Sequence, residues 1–106
     1  MSGPPQPILP PLPPMHHNSV ERFKALGDPI RWQMICRIAA SGELPWSGLD
    51  DLSISKPTVS YHIRTLVQVG LVSVRKEGRN AYYSLRREAL NDVIELIHAL
   101  SRTAAA

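Results

Sequence analysis

A chain of 106 residues, 43% hydrophobic and 20% charged, has apolar material for one domain with a modest core and none to spare for a second. It has no apolar run long enough to cross a bilayer, and its start lacks the basic residues and continuous apolar run of a signal peptide. A lone cysteine, Cys36, excludes an internal disulfide framework, so the expected location is the cytoplasm. Net charge is only +3 but unevenly spread: residues 1–53 sum to −1, residues 54–87 to +6 and residues 88–106 to −2. A basic middle between acidic flanks suits a polyanion-binding face, although an ordinary solvated surface has the same composition.

Seven of the 10 prolines fall in the first 14 residues, MSGPPQPILPPLPP. Residues 1–17 are expected to form a disordered tail sampling polyproline II, and its overlapping P-x-x-P pattern also suits a peptide-binding partner. Asn18 or Ser19 is placed to cap a first helix reaching about Leu26, with Val20, Phe23 and Leu26 on one side. Gly27-Asp28-Pro29 is a sharper signal. Gly27 ends one helix, Asp28 caps the next, and Pro29 fits a first helical position whose amide is unbonded anyway. The second helix runs from Ile30 to Ala40 on a stripe of Ile30, Met34, Ile35 and Ile38, and Ser41-Gly42 ends it.

Residues 43–54, ELPWSGLDDLSI, hold a short helix around Ser47–Leu52. Ser55 or Lys56 then caps a helix with Pro57 in its first turn, a buried stripe of Val59, Ile63, Leu66 and Val67, and a stop at Gly70. Beyond Gly70 the period changes to two. Residues 71–75 and 81–85 are β-prone runs around Lys76-Glu77-Gly78-Arg79-Asn80, which reads as a hairpin. A last helix covers Glu88 to about Ser101, with Leu90, Val93, Ile94, Ile97 and Leu100 apolar, and residues 102–106 are expected to be a flexible tail. The expected fold is mainly α with a β-hairpin wing, in the order ααααββα, over residues 18–101.

The succession Ser60-Tyr61-His62 invites a catalytic reading, and helical geometry argues against it. Consecutive helical residues point about 100° apart, so Ser60 and His62 cannot face each other. No acid lies in this helix and no G-x-S-x-G turn occurs in the chain, so an activated serine has no partners. No enzyme is expected. With the apolar stripe inward, Lys56, Thr58, Ser60, Tyr61, His62, Arg64, Thr65 and Gln68 point outward. That face carries two cations, several hydroxyls and no acid, which suits the DNA major groove: lysine and hydroxyls reach base edges while arginine and threonine anchor on phosphate. A short helix turning into this one makes a helix-turn-helix. Arg75, Lys76 and Arg79 in the hairpin come within reach of the flanking backbone, which makes it winged. His62 has a plainer reading as a satisfied structural histidine.

From Phe23 to Leu85 the chain resembles the ArsR/SmtB family of bacterial repressors. FKALGDPIRWQMICRI, SISKPTVSYHIRTLVQVGLV and VRKEGRNAYYSL match that family's L-x-D-P-x-R helix start, its L-S-x-S-T-V-S-x-H-L recognition helix and its R-x-E-G-R-x-x-Y-Y-x-L wing, in order and at the right spacing. The resemblance implies a homodimer formed mainly by the first and last helices, here through Val20, Phe23, Leu90, Val93, Ile94, Ile97 and Leu100. It also implies binding to an inverted-repeat operator in double-stranded DNA, repression there, and release by an effector. Lys56, Pro57, Ser60 and Tyr61 fall where the family contacts bases. Thr58, His62 and Arg64 fall at backbone-contacting or supporting places, and Arg79 falls at the wing tip. Lys56-Pro57 departs from the family's commoner polar pair, so the operator sequence does not carry over from relatives.

Many members of that family release DNA on binding metal. The Cys-x-Cys site would fall in Leu44-Pro45-Trp46-Ser47, which has no cysteine. The last helix offers Asp92, Glu95 and His98 at three-residue spacing, and His16 and His17 could join them from the tail to make a metal-responsive repressor. Carboxylates with one imidazole are poor zinc ligands, so neither a metal nor another cofactor is expected. Cys36 beside Ile35 and Ile38 reads as a buried apolar residue. Phe23, Trp32, Met34 and Trp46 read as core more readily than as a pocket for a small-molecule effector.

Overall fold

Gly27-Asp28-Pro29 turns the chain between α1 (His17–Leu26) and α2 (Pro29–Ser41), in a computed structural model that describes residues 3, 17–50 and 52–105. The Asp28 carboxylate accepts from the backbone N–H groups of Ile30 and Arg31 at 2.9 and 3.0 Å, satisfying two amides that the helix itself cannot. These N–H groups, that of Arg31 first, hold the Asp28 carboxyl below its ordinary value, helped by the Arg31 charge. Because α1 begins at His17, Asn18 and Ser19 lie inside its first turn instead of capping it. The inward positions of α1 are Ser19 and Ala25, and Val20 is exposed. The tail expected over residues 1–17 lies outside the described residues, apart from Gly3 and the backbone of His17.

Gly42 ends α2 with a φ of 76°. A strand that the sequence reading missed follows, β1 (Leu44–Pro45). Two residues are too few to show alternation, and Pro45 fits only because β1 is an edge strand. Instead of a short helix over 47–52, Trp46–Leu49 makes one 3₁₀ turn, pinned by a fully buried Leu49. The chain then bends through Ser53, a non-glycine at a φ of 58°.

Ser55 caps α3 (Lys56–Gln68), its hydroxyl accepting from the Thr58 N–H at 3.4 Å. The far end closes as a Schellman turn: the Leu71 N–H donates to Leu66 O and the Gly70 N–H to Val67 O. Gly70 supplies the left-handed φ of 79° that this turn needs. The chain then enters β2 (Val72–Glu77), turns through Gly78-Arg79 and returns as β3 (Asn80–Leu85). Gly78, at a φ of 62°, takes the first position of this two-residue loop, where other residues fit poorly. The sheet is antiparallel in the order β1-β3-β2.

The last helix, α4 (Arg87–Thr103), runs two residues into the expected C-terminal tail. Nothing local stops it there, and the Thr103 hydroxyl donates to Ala99 O at 2.8 Å. The core forms where α2 (Met34, Ile35, Ile38) and α3 (Val59, Ile63, Leu66) meet Leu49, Leu71, Val72 and Tyr83. Trp32 and Cys36, both expected inside, are exposed. They sit one turn apart on the outer side of α2, away from the Met34–Ile38 stripe. Phe23 and Trp46 are half-buried.

Candidate nucleic-acid interface

The outer side of α3 begins where its cap begins. Lys56 and Pro57 are exposed, Thr58 and Ser60 half-exposed, and Tyr61, Arg64 and Gln68 exposed. No acidic residue occurs between positions 54 and 76, so nothing local neutralises this surface. Lys56, Arg64, Lys76 and Arg79 have no ion pair among the described residues. Between α3 and the wing lies a cleft of about 210 Å³ lined by Ser60, Ile63, Arg64, Val67, Val74, Lys76 and Tyr83. Val67, expected in the buried stripe, is half-buried here. Burial in this region pushes the Tyr83 phenol up from its ordinary value.

Strand alternation separates the wing cations. Val74 pairs with Tyr83 and Lys76 with Ala81 on the face toward α3, while Arg75 pairs with Tyr82 on the other face. Lys76 therefore shares the cleft with Arg64. Arg75 does not: its guanidinium binds Glu43 and Glu77 and stacks over Tyr82. Arg79 occupies the wing tip.

His62, placed by the sequence reading among the outward residues, turns inward and is 7% exposed. Arg31 Nη1 donates to its Nδ1 at 3.0 Å while Arg31 Nε donates to Ala25 O at 3.0 Å. Arginine can only donate, so Nδ1 is the acceptor in this contact. The Tyr61 ring meets it edge-on, with centroids 5.3 Å apart. Arg31 thus ties the start of α2 to the middle of α3, a role the sequence signals only through its place after the Asp-Pro cap. At the other end of α3, Arg22 Nε donates to Val69 O at 2.8 Å, and its Nη1 lies 3.6 Å from Asp92 of α4. The role of Arg22 had no sequence signal.

α4 leaves Ile94, Ile97 and Leu100 58%, 52% and 53% exposed, with Val20 exposed on α1 and Phe23 and Leu90 half-buried. Val93, grouped with them by the sequence reading, already buries within the protomer. Glu95 and His98 are exposed on the same helix, and Asp92 is engaged with Arg22. Among the described residues no three His, Cys, Asp or Glu side chains gather closely enough to hold a metal ion. His16 and the His17 side chain lie outside the described residues. No described helix is long and apolar enough to cross a membrane.

The family model described as "Bacterial regulatory protein, arsR family" matches residues 28–74, the span from the Asp28 cap into the wing. An uncharacterized HTH-type transcriptional regulator of Methanocaldococcus jannaschii is 31% identical over 86 residues, covering 80% of this chain and 97% of that protein. The transcriptional repressor SdpR of Bacillus subtilis is 32% identical over 72 residues, covering 68% and 80%. Among solved structures, HlyU from Vibrio cholerae, a transcriptional activator, superposes with a TM-score of 0.64 at 32% identity, covering 78% of this chain and 90% of that one. The fold is shared with that solved regulator, and the chain belongs to the ArsR family of DNA-binding transcriptional regulators, which are not enzymes.

Proposed function

We propose that this regulator is a cytoplasmic homodimeric repressor that binds an inverted-repeat operator and is released by a small-molecule effector other than a metal. The observation that carries the reading is the basic surface of α3 and the side of the wing that faces it, where Lys56, Arg64, Lys76 and Arg79 lack ionic partners among the described residues. These cations capture the duplex by displacing counterions from phosphate, and Lys56, Ser60 and Tyr61 at the start of α3 then meet base edges. Thr58 supports the backbone approach, and Pro57 contributes only shape and apolar contact, since it has no N–H to donate.

Dimerisation follows from the same logic applied to α4. Ile94, Ile97 and Leu100, with Val20 of α1, form an apolar face that a second copy can cover, and two-fold symmetry presents two α3 helices to an inverted repeat. An effector acts by favouring a dimer geometry in which the two helices no longer fit successive major grooves, which requires that it bind the two geometries with different affinity. A single cysteine, exposed on α2, gives no pair of thiolates within one protomer for a soft metal.

The test is fluorescence anisotropy with duplex from upstream of the protein's own gene, over a salt series, with and without chelator, beside sedimentation and in vitro transcription. Tight binding that falls steeply with salt and ignores the chelator, a dimeric mass, and reduced transcript together support the reading. Raised transcript makes it an activator, and binding that strengthens on chelation makes it metal-responsive.

A further inference from the structure

We propose that Glu43 and Arg75 are positioning residues for DNA binding: as a pair they lock the wing to the turn after α2, and Arg75 contacts no phosphate. This rests on the DNA-binding reading above. Arg75 lies on the sheet face away from α3, opposite Tyr82 in the register. Every nitrogen of its guanidinium is engaged. Nε and Nη2 donate to the two Glu43 carboxylate oxygens at 3.1 and 2.8 Å, and Nη1 donates to Glu77 Oε2 at 2.6 Å. Its Cζ sits 4.6 Å from the centre of the Tyr82 ring. Pairing with Arg75 in turn holds the Glu43 carboxyl below its ordinary value.

The contact spans the sheet, from β2 across β3 to the residue just before β1. Backbone pairing cannot do this alone, because β1 contributes two residues and one is a proline without an N–H. A two-stranded hairpin is marginal by itself and needs something to lean on. Exposed ion pairs generally contribute little, but here a two-point fork, a second carboxylate and an aromatic ring restrain one side chain together. α2 thereby carries the anchors of both DNA-facing parts. Arg31 in its first turn holds His62 of α3, and Glu43, just past its Gly42 cap, holds Arg75 of the wing. The spacing between recognition helix and wing is set from that one helix, while Lys76 and Arg79 stay free for phosphate.

The experiment compares Glu43→Gln, Arg75→Met, the double variant and Lys76→Met. Each is titrated over a salt series with duplex from upstream of its own gene, and amide exchange of the wing is followed in the free protein. Glu43→Gln and Arg75→Met are each expected to weaken binding about threefold at the wild-type salt slope, with the double no weaker than either single, since the pair acts as one unit. Lys76→Met, which removes a phosphate contact, is expected to lower the slope by about one. Exchange across β2 and β3 is expected to quicken in both latch variants. Tighter binding by Glu43→Gln, a slope loss of about one in Arg75→Met, or unchanged wing exchange each overturns the latch. Failure of the wild type to bind duplex sinks the DNA-binding reading instead, and the exchange measurements still judge the latch.

Discussion

Helices α3 and α4 are both amphipathic, yet they leave opposite faces bare. α3 buries Val59, Ile63 and Leu66 within the chain and turns Lys56, Tyr61, Arg64 and Gln68 to solvent. α4 buries Ala89, Val93 and Ala99, and its larger apolar side chains Ile94, Ile97 and Leu100 stay more than half exposed. The same helical period therefore leaves two kinds of surface. A basic face with its own apolar side satisfied suits a polyanion, whereas an exposed apolar stripe suits the proposed second copy.

The comparison can be broken most directly from the inside. Leu66, fully buried in α3, should lose about 2–5 kcal/mol of stability as Leu66→Ala in a denaturant melt, the cost of lost transfer energy plus a cavity. A change much smaller than that would mean that the α3 stripe is not core. On α4, Ile97→Glu should leave the fold intact but, in the proposed dimer, raise the dissociation constant about a hundredfold, since two-fold symmetry repeats the change on both sides of the interface. Sedimentation reads this, and an unchanged mass at all concentrations would give the stripe another purpose.

The supports of α3 give smaller effects. Asp28→Ala should cost about 1 kcal/mol through the lost cap. Because the folded carboxyl lies below its ordinary value, the wild-type advantage is present above the unfolded value near 3.8 and fades as pH falls through the folded one. Melts of wild type and variant should therefore differ at neutral pH and converge in acid. The smallest effect belongs to the polar face. Arg64→Met should leave the melt unchanged and lower the salt slope of DNA binding by about one; an unaltered slope would take Arg64 off the phosphate.

Much of the scaffold for these faces was legible beforehand. The Asp28 cap, the Ser55 cap and the Gly70 stop were each readable because they depend on residues within about five positions. The hairpin was readable from the change of period. β1 was not, since a two-residue strand has no pattern and exists only because β3 lies beside it. The 3₁₀ turn at Trp46–Leu49 likewise owes its shape to the burial of Leu49, not to helical propensity.

The candidate site was readable as a basic face but not as a set of partners. Lys56, Arg64, Lys76 and Arg79 were named from charge and spacing and stand unpaired among the described residues. Arg75 was grouped with them although alternation alone already separates it from Lys76. Which of the two faces α3 depends on the side of the sheet that packs against that helix.

By itself the sequence determined the Gly27-Asp28-Pro29 turn, the caps of α2 and α3, the hairpin, the helical and strand periods and the acid-free stretch from 54 to 76, because each rests on neighbours along the chain. Tertiary structure alone decided that His62 turns inward to Arg31, that Arg22 joins α3 to α4, that Arg75 belongs to Glu43, and that Cys36 and Trp32 stay outside. These pairings join residues separated by 31, 47 and 32 positions, and the exposure of a helical position depends on which neighbouring elements pack against it. No local pattern encodes either.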